Sequence, residues 1–262
     1  MNLFRRCLLS ALLASAAITA VPFAQADALS DITARGVLKV AVPQDFPPFG
    51  SVGTDMQPRG LDIDMAQLVA DKLGVKLALT AVSSANRIPF LTSGKVDLVI
   101  SSLGKTAERE QVIGFSTKYA PFYMGVYGPK DVAISAPADL KGKSIGLSRG
   151  ALEDLEVSEV APEGTVIKRF EDNNTTIAAY LAGQVELIAS GNSTMAVIAD
   201  RNPQRAPLLK FKLKDSGCYV GVGKDETALK DKVNGIVAAA KADGSLDKLS
   251  QKWLKEALPA DF

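Results

Sequence analysis

Four short clusters in this sequence place polar or glycine residues directly after an apolar run: Val42-Pro43-Gln44, Ser101-Ser102, Ser148-Arg149-Gly150 and Ser190-Gly191-Asn192. Hydroxyls, amides and free main-chain groups of this kind hold a small polar molecule by hydrogen bonds. Covalent chemistry has less to work with. The chain has no histidine. That removes Ser-His-Asp and Cys-His triads, paired-histidine zinc sites and a histidine general base. Zinc would rest on carboxylates and a lone cysteine, a poor ligand set, so neither a metal nor another cofactor is expected. Carboxylate or lysine catalysis stays open. Cys218, in the run CYVGVG, reads as a buried small hydrophobe rather than a nucleophile.

The elements that must position these clusters are legible from periodicity. Residues 37–43, 75–82 and 96–101 read as strands. Residues 60–74 carry Leu61, Met65, Leu68, Val69 and Leu73 at helical spacing and stop on Gly74. Short helices are expected over 87–93 and 106–112. The pattern then restarts: strand 143–148, helix 150–160, strand 165–170, helix 173–184, strand 185–190. Strands separated by helices imply βαβ units and a mostly parallel sheet. Two such series imply two α/β lobes. The aromatic extended stretch 115–128 and the segment 214–223 suit crossings between them. The chain closes on two expected helices, 229–240 and 246–258. Ligands of open α/β sheets bind beyond the carboxyl ends of the strands, where the four polar clusters lie.

At 262 residues the chain has room for two lobes. Its 30 basic and 29 acidic residues nearly cancel, which argues against a nucleic-acid partner. Arg5 and Arg6, the apolar run 7–21 and Ala24-Gln25-Ala26 predict a cleavable secretion leader over 1–26. Cys7 leaves with it, so no disulfide is expected within the mature chain.

The segments GVLKVAVPQDFPPFG, RGLDIDMAQLVADKLG, NRIPFLTSGKVDLVISSLGKTAERE, FSTKYA and ADLKGKSIGLSRG occur in this order along nearly all of the mature chain. Together they resemble the extracellular solute-binding proteins of family 3, the polar amino-acid group. The resemblance implies a type II periplasmic binding fold. Residues 27–120 with 218–262 would form one lobe and 121–217 the other, joined by two extended hinge segments. It implies a periplasmic, monomeric, non-enzymatic carrier whose partners are an amino acid and the membrane permease of an ABC transporter.

Residue roles follow from the same resemblance. Arg109 matches the arginine that grips the ligand α-carboxylate, and a guanidinium fork suits that group. Ser101 and Ser102 match the turn that binds carboxylate and ammonium. Gly104 stands where the family usually has a hydroxyl residue. Phe46 matches the aromatic that covers the ligand side chain, with Asp45 beside it left outside the expected set. Arg87, in NRIP, matches the arginine that glutamate and aspartate binders direct at the distal carboxylate. Gly150 and Leu152 lie in the turn whose N–H groups receive the α-carboxylate, with Ala151 and Leu152 replacing the usual hydroxyl residues. After GQVELIAS the family usually places an aspartate for the ligand ammonium. Here Gly191 stands instead, followed by Asn192, which accepts but carries no charge. Either Asn192 and Glu153 share that task or the ligand is not a standard α-amino acid. Periplasmic prephenate and arogenate dehydratases also resemble the family; such an enzyme would need a general acid, for which Asp45, Glu153 and Asp154 are candidates. A third role, soluble sensor for a receptor, is compatible with the same scaffold.

Overall fold

The computed structural model describes residues 27–262, and the expected leader lies outside them. The chain opens with α1 (Ala28–Arg35), capped by Asp27, whose side chain accepts from Ser30 N, and ended by Gly36 in the left-handed region at φ 68°. Then come β1 (Val37–Val42), the short strands β2 (Asp45–Phe46), β3 (Gly50–Val52) and β4 (Pro58–Arg59), α2 (Leu61–Leu73), β5 (Lys76–Ala81), α3 (Arg87–Thr92), β6 (Leu98–Leu103) and α4 (Ala107–Val112). The long strand β7 (Ile113–Gly128) leads into β8 (Ser144–Ser148), α5 (Leu152–Val160), β9 (Val166–Phe170), α6 (Asn173–Leu181), β10 (Leu187–Gly191) and α7 (Asn192–Arg201). A second long strand, β11 (Leu208–Gly223), returns to α8 (Thr227–Ala242) and α9 (Ser245–Trp253).

One sheet runs in the order β5-β1-β6-β11-β7-β10-β8-β9, and β2-β3-β4 form a small second sheet. Strand β1 pairs in parallel with β5 and β6, and β8 pairs in parallel with β9 and β10. These are the sheets of two α/β lobes. Between them β7 and β11 pair antiparallel, from Gly128 with Leu208 to Ile113 with Gly223. The lobe division read from sequence falls within this ribbon, where Ala120 pairs with Cys218 and Pro121 with Gly217.

Both lobes are built on apolar strands covered by helices. Leu38, Val40, Leu98 and Ile100 pack with Met65 and Val69 of α2 and with Leu229 and Val233 of α8. Val126, Ile145, Leu147 and Leu187 pack with Val157 of α5. Each fully buried side chain of this size contributes about 1.5–3 kcal/mol. Strands shielded on both faces lose the apolar–polar alternation, which is why β6 is buried at every position.

Three features depart from the sequence expectations. Strand β11 starts at Leu208 rather than 214; its lysines mask the alternation of an exposed end. The last helix stops at Trp253 rather than 258. Lys255 is left-handed at φ 65°, and the Leu258 N–H instead bonds Asp247 Oδ1 at 2.8 Å. Helices α1 and α7 and the small sheet were not read. No helix among the described residues is long and apolar enough to cross a membrane.

Candidate functional site

The carboxyl end of β6 carries Ser101, Ser102 and Leu103 toward the other lobe. Ser102 is left-handed at φ 39°, a conformation that costs a residue with a Cβ roughly 1–2 kcal/mol. Buried Asp62, at the start of α2, holds it there: Oδ2 accepts from Ser102 N at 2.6 Å and Oδ1 accepts from Tyr119 Oη at 2.7 Å. Ser101 Oγ accepts from Arg87 Nε at 3.1 Å. That is the one hydrogen bond of the Arg87 side chain among the described residues, so its two Nη groups remain for other acceptors. Arg87 is only 5% exposed. Burial lowers its pKa, and the charges of Asp45, Glu153 and Asp62 oppose that shift.

Helix α4 positions Arg109. Thr106 caps it by accepting from Arg109 N at 3.2 Å. The guanidinium reaches back to Gly104 O at 2.7 Å through Nη1 and across to Gly150 O at 3.1 Å through Nη2. Arg109 thus spans the two lobes rather than pairing with Glu108 or Glu110 at the surface. Burial lowers it to about 10, and the neighbouring Arg87 charge adds to the shift. Gly150 is left-handed at φ 73°, and a Cβ there would also sit 3.0 Å from Ala85 Cα. Gly104 faces Leu152, and a Cβ on Gly104 would overlap Leu152 Cδ2. The missing hydroxyl at 104 and the leucine at 152 are therefore one feature of the lobe contact.

Between the lobes lies a small cavity of about 10 Å³, close to what one water needs. Phe46, Ser84, Arg87 and Ser102 line it from one lobe, and Ala151, Leu152, Glu153 and Asn173 from the other, with Phe122 of β7 beside them. Ser84 Oγ, Ser102 Oγ, Glu153 Oε1 and Asn173 Nδ2 are buried without a hydrogen-bond partner, as is Asp45 Oδ1 next to Phe46. Buried polar atoms are normally satisfied. Four of these atoms line the cavity and Asp45 Oδ1 lies beside it, so unused hydrogen-bonding capacity is concentrated at this place. The Phe46 and Phe122 rings, 6.3 Å apart and tilted by 53°, form its apolar wall.

Ser84, Phe122 and Asn173 were outside the expected set, and so was Asp45; the sequence names Glu153 only as sharing the ammonium with Asn192 and, with Asp45 and Asp154, as a candidate general acid. Asp45 does not point away: its Oδ2 accepts from Asn173 N of the other lobe at 2.7 Å. The signals for Asn173 and Phe122 were present in the polar start of NNTTIAAYL and in the aromatic stretch of β7, but neither identifies an inward-facing residue. Asn192 lies away from the cavity. Its Oδ1 accepts from Tyr123 N at 3.3 Å, and it borders a separate outer groove with Lys118 and Asp215. Arg149 is solvent-facing, 3.8 Å from Glu171. Asp154 pairs with Arg169 at 2.7 Å and accepts from Gly150 N, which makes it part of the turn's scaffold. Gly191 has a steric reason: a Cβ would overlap Phe122 Cε2 and lie 3.2 Å from Phe46 Cζ.

Burial pushes Asp62 up to about 7, against the hydrogen bonds from Tyr119 and Ser102 and the charge of Arg87. A carboxyl whose folded pKa is raised contributes stability that is fully present below its unfolded value, near 3.8, and lost as pH rises through about 7. That contribution is on the order of 4 kcal/mol. Urea unfolding of wild type and Asp62→Asn between those limits is expected to show wild type losing stability with rising pH relative to the variant. Parallel curves would place the titration elsewhere.

The sequence model of bacterial extracellular solute-binding proteins, family 3, matches residues 38–256. The chain is 28% identical over 224 residues to the ABC transporter arginine-binding protein 1 of Escherichia coli, covering 84% of this chain and 91% of that protein. It is 29% identical over 201 residues to the ABC transporter glutamine-binding protein GlnH of Bacillus subtilis, covering 75% and 73%. The solved solute receptor for L-cysteine of Neisseria gonorrhoeae superposes with a TM-score of 0.82 at 29% identity, covering 86% of this chain and 93% of that one. An ancestral amino acid-binding protein, a precursor of cyclohexadienyl dehydratase, superposes at 0.79 with 27% identity, covering 87% and 100%.

Proposed function

The chain belongs to the bacterial extracellular solute-binding proteins of family 3, and from that premise we propose that it captures a polar amino acid in the periplasm and delivers it to an ABC-type permease. The observation that carries this is the cavity between the lobes with its unpartnered polar atoms and two buried guanidinium groups. Relatives named for arginine, glutamine and cystine keep the ligand class within amino acids. The cavity is too small for an amino acid as it stands. A guest enters by parting the lobes, bending the β7–β11 ribbon near Ala120 and Cys218, and taking over the Arg109 contact that Gly150 O now receives. Closure then encloses it and presents a joined surface to the permease.

The finer reading is glutamate or aspartate. Arg109 and the uncapped N-terminal N–H groups of α5 suit the α-carboxylate. The two free Nη groups of Arg87 suit a distal carboxylate. Phe46 and Phe122 cover the carbon chain between them. A ligand at a hundred times its Kd adds about 2.7 kcal/mol, which raises the melting temperature of a chain this size by roughly 5–10 °C. L-Glutamate and L-aspartate are expected to do so for residues 27–262, and Arg87→Ala is expected to abolish the shift. A shift with L-glutamine alone would sink the acidic reading and keep the transport role. Turnover of prephenate or arogenate would sink both.

A further inference from the structure

We infer that the ligand carries an ammonium group and that Glu153, at the second position of α5, is its counter-charge. The inference deepens the binding reading above and rests on it. Glu153 is 6% exposed and lines the cavity, yet Oε1 has no hydrogen-bond partner. Neither arginine is within ion-pairing distance of it among the described residues: Arg109 is turned to Gly104 O and Gly150 O, and Arg87 Nε to Ser101 Oγ. A buried carboxylate without a partner is costly, and leaving it so inside a binding cavity is reasonable only if a guest completes it. Burial raises its pKa, against its own backbone N–H and the charges of Arg87 and Arg109, and an ammonium placed beside it would favour the anion further.

An ammonium has three N–H donors and accepts nothing. Glu153 Oε1, Ser84 Oγ and Ser102 Oγ are three unpartnered oxygens in the same cavity. The other acidic group beside the cavity, Asp45, is already engaged through Oδ2 by Asn173 N, and the position of Gly191 offers none, because it has no side chain and the Phe122 ring fills the space one would need. The cation therefore goes to α5, while the arginines take the anionic end. The site selects a zwitterion over a simple carboxylate.

The test compares ligand pairs that differ only in the amino group: L-glutamate with glutarate, L-glutamine with its deaminated analogue, and L-arginine with 5-guanidinopentanoate. Calorimetry on wild type is expected to show a preference of about 100-fold for the ammonium member of the pair that binds, the size of a buried charge pair. In Glu153→Gln that preference is expected to fall below about tenfold, with the deaminated member little changed. Glu153→Met, which has no acceptor, is the second variant should the first fold poorly. The inference is overturned if wild type prefers the ammonium member of no pair, if Glu153→Gln weakens both members equally, or if it keeps the preference. A preference seen with the glutamine pair and lost in Glu153→Gln, without glutamate binding, upholds Glu153 and removes only the acidic reading.

Discussion

Arg109→Ala is expected to lower affinity for the amino-acid ligand by at least 100-fold, about 3 kcal/mol or more. Three properties make this side chain hard to replace. It is buried, so its charge acts through little water. Its fork is planar and fixed by Gly104 O and the Thr106-capped first turn of α4. It already spans the cleft to Gly150 O, so it sits where a carboxylate shared by the two lobes would sit. Arg109→Lys should recover less than a tenth of the loss in binding constant, because a point charge does not reproduce the bidentate fork. Calorimetry with L-glutamate and L-glutamine checks both variants. Affinity within threefold of wild type in Arg109→Ala would place the ligand carboxylate elsewhere.

The second large effect concerns Gly191. Installing a carboxylate by Gly191→Asp should destabilise the protein rather than strengthen ligand binding. The new Cβ would overlap the Phe122 ring and press on Phe46. Overpacking of this kind costs about 1–3 kcal/mol, and a carboxylate set against two phenyl rings adds its desolvation. Together these should lower the melting temperature by about 5 °C or more. The double variant Gly191→Asp/Phe122→Ala separates the causes. Removing the ring should make the aspartate cheaper, so the two effects should not add. Strict additivity would mean that the ring is not the obstacle.

Much of this site was readable from the chain alone, for reasons that differ by residue. Arg87, Ser102 and Arg109 were singled out by the resemblance to the family, while periodicity located only the strand ends and helix starts on which they lie. The lobes followed from the two βαβ series. Phe122 was hidden because a long strand shared by two lobes buries residues on both faces, so alternation does not tell which ring faces the cavity. Glu153 was named from the sequence only as one of several acidic candidates, because an acidic residue in the first turn of a helix has an ordinary explanation in the helix dipole. Only its burial and its unpartnered oxygen separate it from Asp154, one position on, which is spent on Arg169 and Gly150. Asn192 drew attention through its neighbour Gly191, yet the backbone turns at that point into α7 and carries the amide to the outer face. The last helix ends at Trp253 before the left-handed Lys255, and the Leu258 N–H is taken by Asp247.

Cys218 pairs with Ala120 in the ribbon that joins the lobes. It is fully buried, and burial raises its thiol pKa well above the ordinary value. Its sulfur is therefore shielded twice, by packing and by the scarcity of thiolate. Alkylating reagents are expected to reach it only when the strand pairing around Cys218 and Ala120 opens, so the rate of thiol capture reads how often that seam gives way.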